Sequence, residues 1–294
     1  MIGIIEALIN GILMGSIYGL TAVGLTLIFG VMKVINFAHG SILMVGMFAA
    51  YWFVILTGWN PYLAIPIVVP LLFYFGYFMQ SWVIKPIFEA EKDVREPITV
   101  IIVTTGIWYV LDNLALMIFG AEFRVAKTTV TGKIVEFMDM YFLLPKVIGA
   151  GITIACGIYL YWFLKHSKMG KAIRATSLDR EAASLMGIKQ SKIYNIAFGL
   201  GSACCGMAAC VLVPFYYVYP TVGVPFDIKA FIIVVLGGLG SIPGAILGGV
   251  IIGIIENVGA QFMAATWTEL LLYAVFLFVL LVKPSGLFGL KQDF

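Results

Sequence analysis

The sequence predicts an all-α fold, a polytopic membrane helix bundle with about eight hydrophobic segments, one of them broken into two short helices. Two observations predict this class. Hydrophobic residues make up 62% of the 294 residues and charged residues only 11%, whereas soluble globular domains carry about 25% charged residues. Apolar runs of the roughly 20 residues that a bilayer-spanning helix needs recur along the whole chain. We therefore expect a single transmembrane domain over residues 1–294, with no room for a soluble catalytic domain.

The hydrophobic segments follow one another through polar connections. We place them at residues 7–32, 40–56, 62–84, 98–119, 147–164, 193–214, 228–255 and 268–282. In the first and seventh segments, glycines recur at four-residue spacing. They are Gly11, Gly15 and Gly19, the pair Gly244 and Gly248, and the pair Gly249 and Gly253. Small residues at this spacing line one helix face and permit close helix contact. We expect that contact inside the subunit, with a second copy or a related subunit as the open alternative.

The first irregular stretch joins the first two segments. Residues 29–40 read FGVMKVINFAHG. Lys33, Asn36 and His39 are costly at membrane depth unless they face protein, water or the headgroups. The stretch therefore cannot be an ordinary lipid-facing helix.

A second irregular stretch interrupts the seventh segment. Residues 236–249 read LGGLGSIPGAILGG, and glycine and proline weaken or end helices. The helical part from 228 to 239 is only about 18 Å long at 1.5 Å per residue, which is too short to span a bilayer. We expect it to stop partway and to turn sharply at 241–243, so that the chain returns to the face where it began.

Interrupted segments in both halves of a membrane chain are the best sequence indication of a transport pathway. This interpretation assigns pathway roles to Asn36, His39, Gly40, Gly238, Gly240 and Ser241. The alternative is a structural corner at the membrane face, with Lys33 and His39 reaching toward the headgroups. Asp112 and Glu256 are weaker pathway candidates, because either can equally be an interhelical contact.

The loop at 165–192 is the most informative polar stretch. Ser177 can cap a short helix with Asp179 and Glu181 near its positive end, and Gly187 can end that helix in left-handed geometry. Four apolar residues share one face of the helix: Leu178, Ala182, Leu185 and Met186. The helix can rest on the membrane surface or enter a groove of a soluble partner, and the residues themselves leave both interpretations open.

Basic residues predict the orientation, because Lys and Arg favour the cytoplasmic side of a membrane. Seven of them crowd the 165–192 loop, which we therefore place in the cytoplasm. If the broken segment returns to its own face, 13 of the 18 Lys and Arg residues lie inside. The N-terminus is then outside and the C-terminus cytoplasmic.

Motifs for catalysis or metal binding are missing from the sequence. The four cysteines fall within apolar segments without paired spacing, and neither His39 nor His166 has a carboxylate at metal-ligand spacing. A G-x-x-x-x-G-K-[ST] phosphate loop, a nucleophile elbow and an H-E-x-x-H zinc motif do not occur. A membrane enzyme is therefore disfavoured, and we expect no metal or cofactor in the chain itself.

Four sequence runs together carry a family resemblance. They are NFAHG at 36–40, AIRATSLDREAASLMGI at 172–188, VVLGGLGSIPGAILGG at 234–249 and KPSGLFG at 283–289. Over nearly its whole length the chain resembles the high-affinity branched-chain amino acid permeases of bacterial ABC importers, in the shorter of two paired permease types. Glu181, Ala182 and Ala183, followed after three residues by Gly187, resemble the EAA loop of such importers. The Ile and Leu-Pro expected farther on in that motif are missing.

The resemblance implies a transport subunit of the bacterial or archaeal cytoplasmic membrane that moves branched-chain or related neutral amino acids inward. The implied partners are a second, paralogous permease, two ATPase subunits that bind ATP and Mg, and an extracytoplasmic substrate-binding protein, with no nucleic acid. The implied ATPase-coupling residues are Ser177, Leu178, Asp179, Arg180, Glu181, Ala182, Ala183, Leu185, Met186 and Gly187. The alternative is a stand-alone ion-coupled secondary transporter of small polar solutes, for which Asp112 is the only acid well inside a predicted segment.

Overall fold

The computed structural model describes residues 2–90, 98–137, 139–283 and 285–288. The helices in these ranges are α1 (Ile2–Met32), α2 (His39–Thr57), α3 (Ile65–Met79), α4 (Lys85–Ala90), α5 (Ile98–Phe119), α6 (Leu144–His166), α7 (Lys168–Leu178), α8 (Arg180–Leu185), α9 (Gln190–Leu212), α10 (Gly223–Gly237), α11 (Ile242–Phe262) and α12 (Ala265–Val282). A 3-10 turn, Pro61–Ala64, precedes α3, and a π-helical turn, Gln80–Ile84, joins α3 to α4. Lys92, Arg95 and Lys291, which are among the 13 basic residues predicted inside, lie outside the described residues, as do Pro284 and Gly289 of the KPSGLFG run.

Eight helical segments in the described ranges are long and apolar enough to cross a membrane. They are Gly3–Met32, His39–Thr57, Pro61–Phe88, Thr99–Phe119, Leu144–His166, Gln190–Leu212, Ile242–Phe262 and Ala265–Val282. They correspond in order to the predicted segments, so the predicted membrane helix bundle is confirmed. A short antiparallel hairpin of β1 (Ile134–Phe137) and β2 (Met140–Leu143), between α5 and α6, was not predicted.

Helices α1 and α9 form the centre of the bundle. In their most apolar windows 83% and 78% of the residues are buried, against 11% in α5 and in α12. The central pair therefore packs against protein, whereas α5 and α12 lie at the edge of the subunit. Along its length α1 packs on α11, while α9 packs on α3 and α2.

Close backbone contact between α1 and α11 accounts for the predicted glycine face. A Cβ atom at Gly15 would lie 2.6 Å from the carbonyl oxygen of Gly249, and one at Gly11 would lie 2.7 Å from the Cα of Ile254. Both distances are too short for any side chain, so these helices can approach only because the positions are glycine. The face is used inside the subunit, as expected.

The predicted break in the seventh segment is confirmed, but its boundaries differ. Helix α10 begins at Gly223 and ends at Gly237, so it is about 22 Å long and too short for a bilayer core of about 30 Å. Helix α11 is not short, because it continues for 21 residues from Ile242. The turn lies at 238–241 and not at 241–243, since proline at 243 is favourable in the first turn of a helix. There Ser241 caps α11 by accepting a hydrogen bond from the Gly244 N–H at 3.2 Å.

The segment after α12 closes the exposed end of α10. The Leu287 N–H donates to the Leu236 carbonyl at 2.8 Å, and the Phe288 N–H donates to the Gly237 carbonyl at 3.1 Å. These carbonyls belong to the last turn of α10 and have no partner within the helix. Gly286 rests directly on the Gly238 backbone, where a Cβ would lie only 2.5 Å from the Gly238 Cα. The 285–288 segment therefore anchors the broken element.

Candidate functional site

The link between α1 and α2 forms a buried turn. Asn36 is 1% exposed. Its Oδ1 accepts a hydrogen bond from the Ala38 N–H at 3.1 Å, and its carbonyl accepts one from the His39 N–H at 3.3 Å. These bonds fix the start of α2. The Asn36 Nδ2 is buried and has no hydrogen-bond partner within the described part of the chain.

His39 lies between α1 and α9. Its side chain is fully buried, with Nε2 2.9 Å from the Thr21 carbonyl oxygen and 3.2 Å from the Cys205 Sγ. The ring therefore packs within protein and does not reach toward headgroups. Thr21 is in the middle of α1, so α2 begins partway along that helix and not at its end.

The N-termini of α2 and α10 meet directly. A Cβ at Gly40 would lie 2.3 Å from the Gly223 carbonyl oxygen, so both positions require glycine. The Asp227 carboxylate of α10 accepts a hydrogen bond from the Gly40 backbone N–H. On the other side of α2, the Asp112 carboxylate of α5 accepts hydrogen bonds from Ser41 Oγ at 2.6 Å and from the indole N–H of Trp108 at 2.8 Å.

Two carboxylates thus flank the start of α2 inside the bundle. Asp112 was a weak sequence candidate, and Asp227 was missed because it lies one residue before the predicted seventh segment. Its position four residues after Gly223, near the start of a short apolar helix, was the available signal. An ionisable side chain inside a membrane bundle is a functional candidate by default.

The second group of predicted pathway residues lies elsewhere along α1. Gly238 and Gly240 both adopt positive φ angles, 101° and 87°. The Gly240 Cα would lie 3.3 Å from a Cβ at Gly30. Thr21 and Gly30 are separated by about 13 Å of helix. The structure therefore does not bring 36–40 and 238–241 together into one cluster.

The 165–192 loop contains two short helices where the sequence predicted one. Ser177 is not the cap, because it lies inside α7 and donates to the Arg174 carbonyl at 2.8 Å. Asp179 caps α8 instead, accepting from the Glu181 and Ala182 N–H groups at 2.9 and 3.0 Å. Asp179 is the cap because its extended backbone, with φ −148° and ψ 114°, separates the two helices. Gly187 has φ +80°, which agrees with the predicted left-handed end.

The apolar residues of this loop point away from the subunit. Leu178, Leu185 and Met186 are 75%, 88% and 83% exposed, and Ala182 is also exposed. Ala183 is the opposite case: it is buried on the inner side of α8. Large aliphatic side chains this exposed on a basic loop indicate an interaction surface.

Arg180 ties the loop to the bundle. Its guanidinium donates a hydrogen bond of 2.6 Å to the Met32 carbonyl at the end of α1. The same group lies 5.9 Å from the Phe88 ring and 6.0 Å from the Tyr194 ring. Burial and the nearby Arg180 charge lower the pKa of Lys33 below its ordinary value. Sequence reasoning placed Arg180 in the coupling segment but did not foresee this inward contact.

The side chains of this site are not arranged as metal ligands. Within the described ranges, no group of three His, Cys, Asp or Glu side chains is placed to hold a metal ion. The four cysteines are free thiols, three of them buried in α9. The site therefore consists of a polar cluster inside the bundle and an exposed apolar surface on α7 and α8.

Comparison with known proteins gives a family for this architecture. The family model of the branched-chain amino acid transport system permease component matches residues 7–280. The chain is 29% identical to the high-affinity branched-chain amino acid transport system permease protein LivH of Escherichia coli K12, over 97% of this chain and 95% of that protein. It is 27% identical to the corresponding protein BraD of Pseudomonas aeruginosa, again over 97% and 95%. The fructose import permease protein FrcC of Rhizobium meliloti is 27% identical over 58% of this chain.

No solved structure matches the chain significantly. The family match nevertheless covers all eight candidate spans except the ends of the first and the last. The chain therefore belongs to the family of permease components of branched-chain amino acid ABC transport systems, and it is a membrane transport subunit, not an enzyme.

Proposed function

We propose that this subunit conducts branched-chain or related neutral amino acids into the cytoplasm and is driven by separate ATPase subunits docked on α7 and α8. ATP and Mg are bound by those partners, and a second permease subunit and an extracytoplasmic binding protein complete the assembly. The named relatives LivH and BraD are high-affinity branched-chain amino acid permeases, which supports this substrate class. The whole chain, residues 1–294, acts as a single transmembrane permease domain.

The observation that carries the proposal is the exposed aliphatic surface formed by Leu178, Leu185 and Met186. Water or headgroups would surround these side chains in the isolated subunit, whereas a partner groove would bury them. Full burial of a Leu or Met side chain stabilises a complex by about 1.5–3 kcal/mol. Helix-in-groove docking by spaced apolar anchors is an established mode of recognition.

Arg180 supplies a route from that surface to the membrane helices. A displacement of α8 would pull on the Met32 carbonyl through the charge-assisted hydrogen bond of Arg180. Met32 leads directly into the 33–38 link and so to the start of α2, where Asn36 holds the turn. We place the conducting pathway beside this start, near Ser41, Asp112 and Asp227, because these polar groups would otherwise be costly inside the bundle.

A stand-alone ion-coupled transporter, the alternative function, would need acidic side chains inside the membrane, and Asp112 and Asp227 are such a pair. Asp112 and Asp227 flank the same helix end and interact electrostatically. Family membership assigns the chain to an ATP-driven system, so we interpret the acids as pathway groups.

The decisive test is Leu185→Asp. A charge at the centre of the apolar surface costs several kcal/mol if it is buried without a partner, so ATPase subunits should no longer co-purify and ATP-dependent uptake should be lost. Ser184→Asp adds the same charge on the same exposed turn and should have a much smaller effect. Wild-type uptake and co-purification by a correctly inserted Leu185→Asp variant would rule out docking at this surface.

A further inference from the structure

Two adjoining cavities on the side of the bundle, an inner and an outer one, together make up what we call the groove. The inner cavity, of about 400 Å³, lies between α1, α6 and α11 and is lined by residues such as Leu20, Val23, Ile158 and Ile246. The outer cavity, of about 250 Å³, lies where α1, α6, α7 and the 238–241 turn meet. Tyr161 and Pro243 line both cavities, so the two lie next to each other.

The inner part of the groove is mostly apolar. Three of its lining residues carry hydroxyl groups. Two of these are engaged with their own helices, Ser16 donating to the Leu13 carbonyl at 2.7 Å and Thr153 to the Ala150 carbonyl at 3.0 Å, and the third belongs to Tyr161, which also lines the outer cavity. The remaining lining consists of aliphatic side chains, Gly157 and Pro243. A hydrocarbon chain is the ligand chemistry that such walls accept.

The outer part is cationic. Lys165 and Arg174 line it together with the hydroxyl-bearing residues Ser177 and Ser241. Arg174 uses one N–H to donate to the Lys165 carbonyl at 3.2 Å, which leaves most of its five donors available. Among the residues that the structure describes, no Asp or Glu lines this cavity. A phosphate or other anionic group is therefore the chemistry that this end accepts.

The dimensions of the groove match one membrane leaflet. From Ser16 to Gly30 the α1 wall is about 21 Å long, against about 15 Å for half of a hydrocarbon core. The length of the wall that exceeds half of the hydrocarbon core corresponds to the headgroup zone. The cationic end of the groove lies at the predicted cytoplasmic side. Exposed apolar residues of α6, including Ile154 at 49% and Ile158 at 64%, flank the groove, as is typical of a helix face in contact with lipid.

We propose that this groove is a binding site for an anionic phospholipid of the cytoplasmic leaflet. One acyl chain lies between α1, α6 and α11, and the headgroup phosphate is held by Lys165 and Arg174 beside Ser177. Basic pockets between transmembrane helices on this side are suited to anionic headgroups. An amino acid substrate lacks the hydrocarbon chain that the inner cavity fits, so the groove is distinct from the proposed pathway.

The test measures bound lipid and does not depend on transport. The full chain, with whichever subunits remain attached, is purified in mild detergent and exposed to equal phosphatidylglycerol and phosphatidylcholine. Retained lipid is then counted by native mass spectrometry. We expect phosphatidylglycerol to be retained preferentially and its retention to fall about tenfold in the double variant Lys165→Gln, Arg174→Gln.

The matched control is Lys168→Gln, Lys171→Gln, which removes the same charge from exposed positions that do not line the groove. It should retain phosphatidylglycerol as the wild type does. Equal losses in both double variants would overturn the site, because only general surface charge would then be involved. Wild-type retention by the Lys165 and Arg174 variant would overturn it as well.

Two further arms separate the lipid from other occupants. Gly157→Leu fills the inner cavity and should displace phosphatidylglycerol, since a Cβ at Gly157 already lies 3.4 Å from Ile246 Cδ1. Unchanged retention would contradict acyl-chain binding. Displacement of the lipid by millimolar inorganic phosphate would indicate a free-anion site, and loss of the lipid only when partner subunits are attached would indicate a protein interface. Either result would overturn the proposal.

Discussion

At the scale of single residues, Arg180 and Asp227 connect exposed and buried parts of the molecule. Arg180 belongs to the loop by sequence, yet its guanidinium reaches the end of α1. Asp227 belongs to a short apolar helix, yet its carboxylate holds the first turn of α2. Each residue makes its contact with a backbone group, so a change of side chain tests the contact without removing the other partner.

For Arg180 we expect Arg180→Lys to reduce uptake severalfold while leaving ATPase association intact. Lysine keeps the charge but lacks the planar fork that reaches Met32 while stacking on Phe88 and Tyr194. A hydrogen bond to a charged group contributes about 1.5–3 kcal/mol. Lys189→Gln, an exposed change in the same loop, is the control. Loss of ATPase co-purification in Arg180→Lys would instead assign this residue to docking.

For Asp227 we expect Asp227→Asn to abolish most transport without unfolding the subunit. The amide oxygen can still accept the hydrogen bond from the Gly40 N–H, so the change mainly removes the charge. Asp139→Asn makes the same substitution at an exposed position with φ +61°, which asparagine tolerates. Uptake and thermal unfolding measured side by side distinguish the two roles: a drop in unfolding temperature with normal uptake per folded molecule would show a structural carboxylate.

At the scale of secondary-structure elements, glycine decides how closely α1 and α11 pack. The two helices follow each other for most of their length, and their contact is backbone to backbone at Gly11, Gly15, Gly249 and Gly253. Within lipid, such close packing replaces the hydrophobic effect as the source of helix association. The broken α10 also makes close glycine contacts, Gly223 with Gly40 and Gly237 with Gly244, and the 285–288 segment anchors its end.

Gly15→Ala should destabilise the subunit by about 1–3 kcal/mol, the usual cost of overpacking. The added methyl group would meet backbone atoms, which cannot move aside as a side chain can. Gly151→Ala in α6 is the control, because a Cβ there has no heavy atom of the described residues within 4 Å apart from its own stretch of helix, and alanine favours a helix by about 1 kcal/mol over glycine. In detergent, the thermal unfolding midpoint should fall for Gly15→Ala and rise slightly for Gly151→Ala. Equal midpoints for the two variants would refute the close contact between α1 and α11.

At the scale of the whole molecule, orientation follows from the basic residues and is a prediction of the sequence. The hairpin between α5 and α6 and the N-terminus are expected outside, and the α7–α8 loop inside. This arrangement places the exposed aliphatic surface where ATPase subunits are found. Docking of ATPase subunits on α7 and α8 and of a binding protein on the outer face therefore both depend on this topology.

Cysteine labelling tests this orientation. Lys189→Cys should be protected from an impermeant thiol reagent added outside intact cells, and Lys127→Cys should react. Both positions are exposed in the structure, while three native cysteines are buried and Cys156 is partly buried in α6. Labelling of Lys189→Cys together with protection of Lys127→Cys would reverse the topology and remove the basis for cytoplasmic coupling.

By itself the sequence determined the properties that depend on local composition and spacing. These are the hydrophobic segments, the glycine face of α1, the break near Gly238 and the exposed apolar residues of the 165–192 loop. Helix length, side-chain periodicity and the backbone preferences of glycine and proline act over a few residues, so a single chain reveals them.

Only the tertiary structure decided which distant residues meet. His39 is buried against Thr21 and Cys205, Asp227 reaches Gly40, and Arg180 reaches Met32 because of the depth at which α2 and α10 begin and the way the helices cross. The choice of Asp179 over Ser177 as the cap likewise follows from a break between α7 and α8. These contacts join residues far apart in the chain, and the pattern of any one segment contains no information about the partner that packs against it.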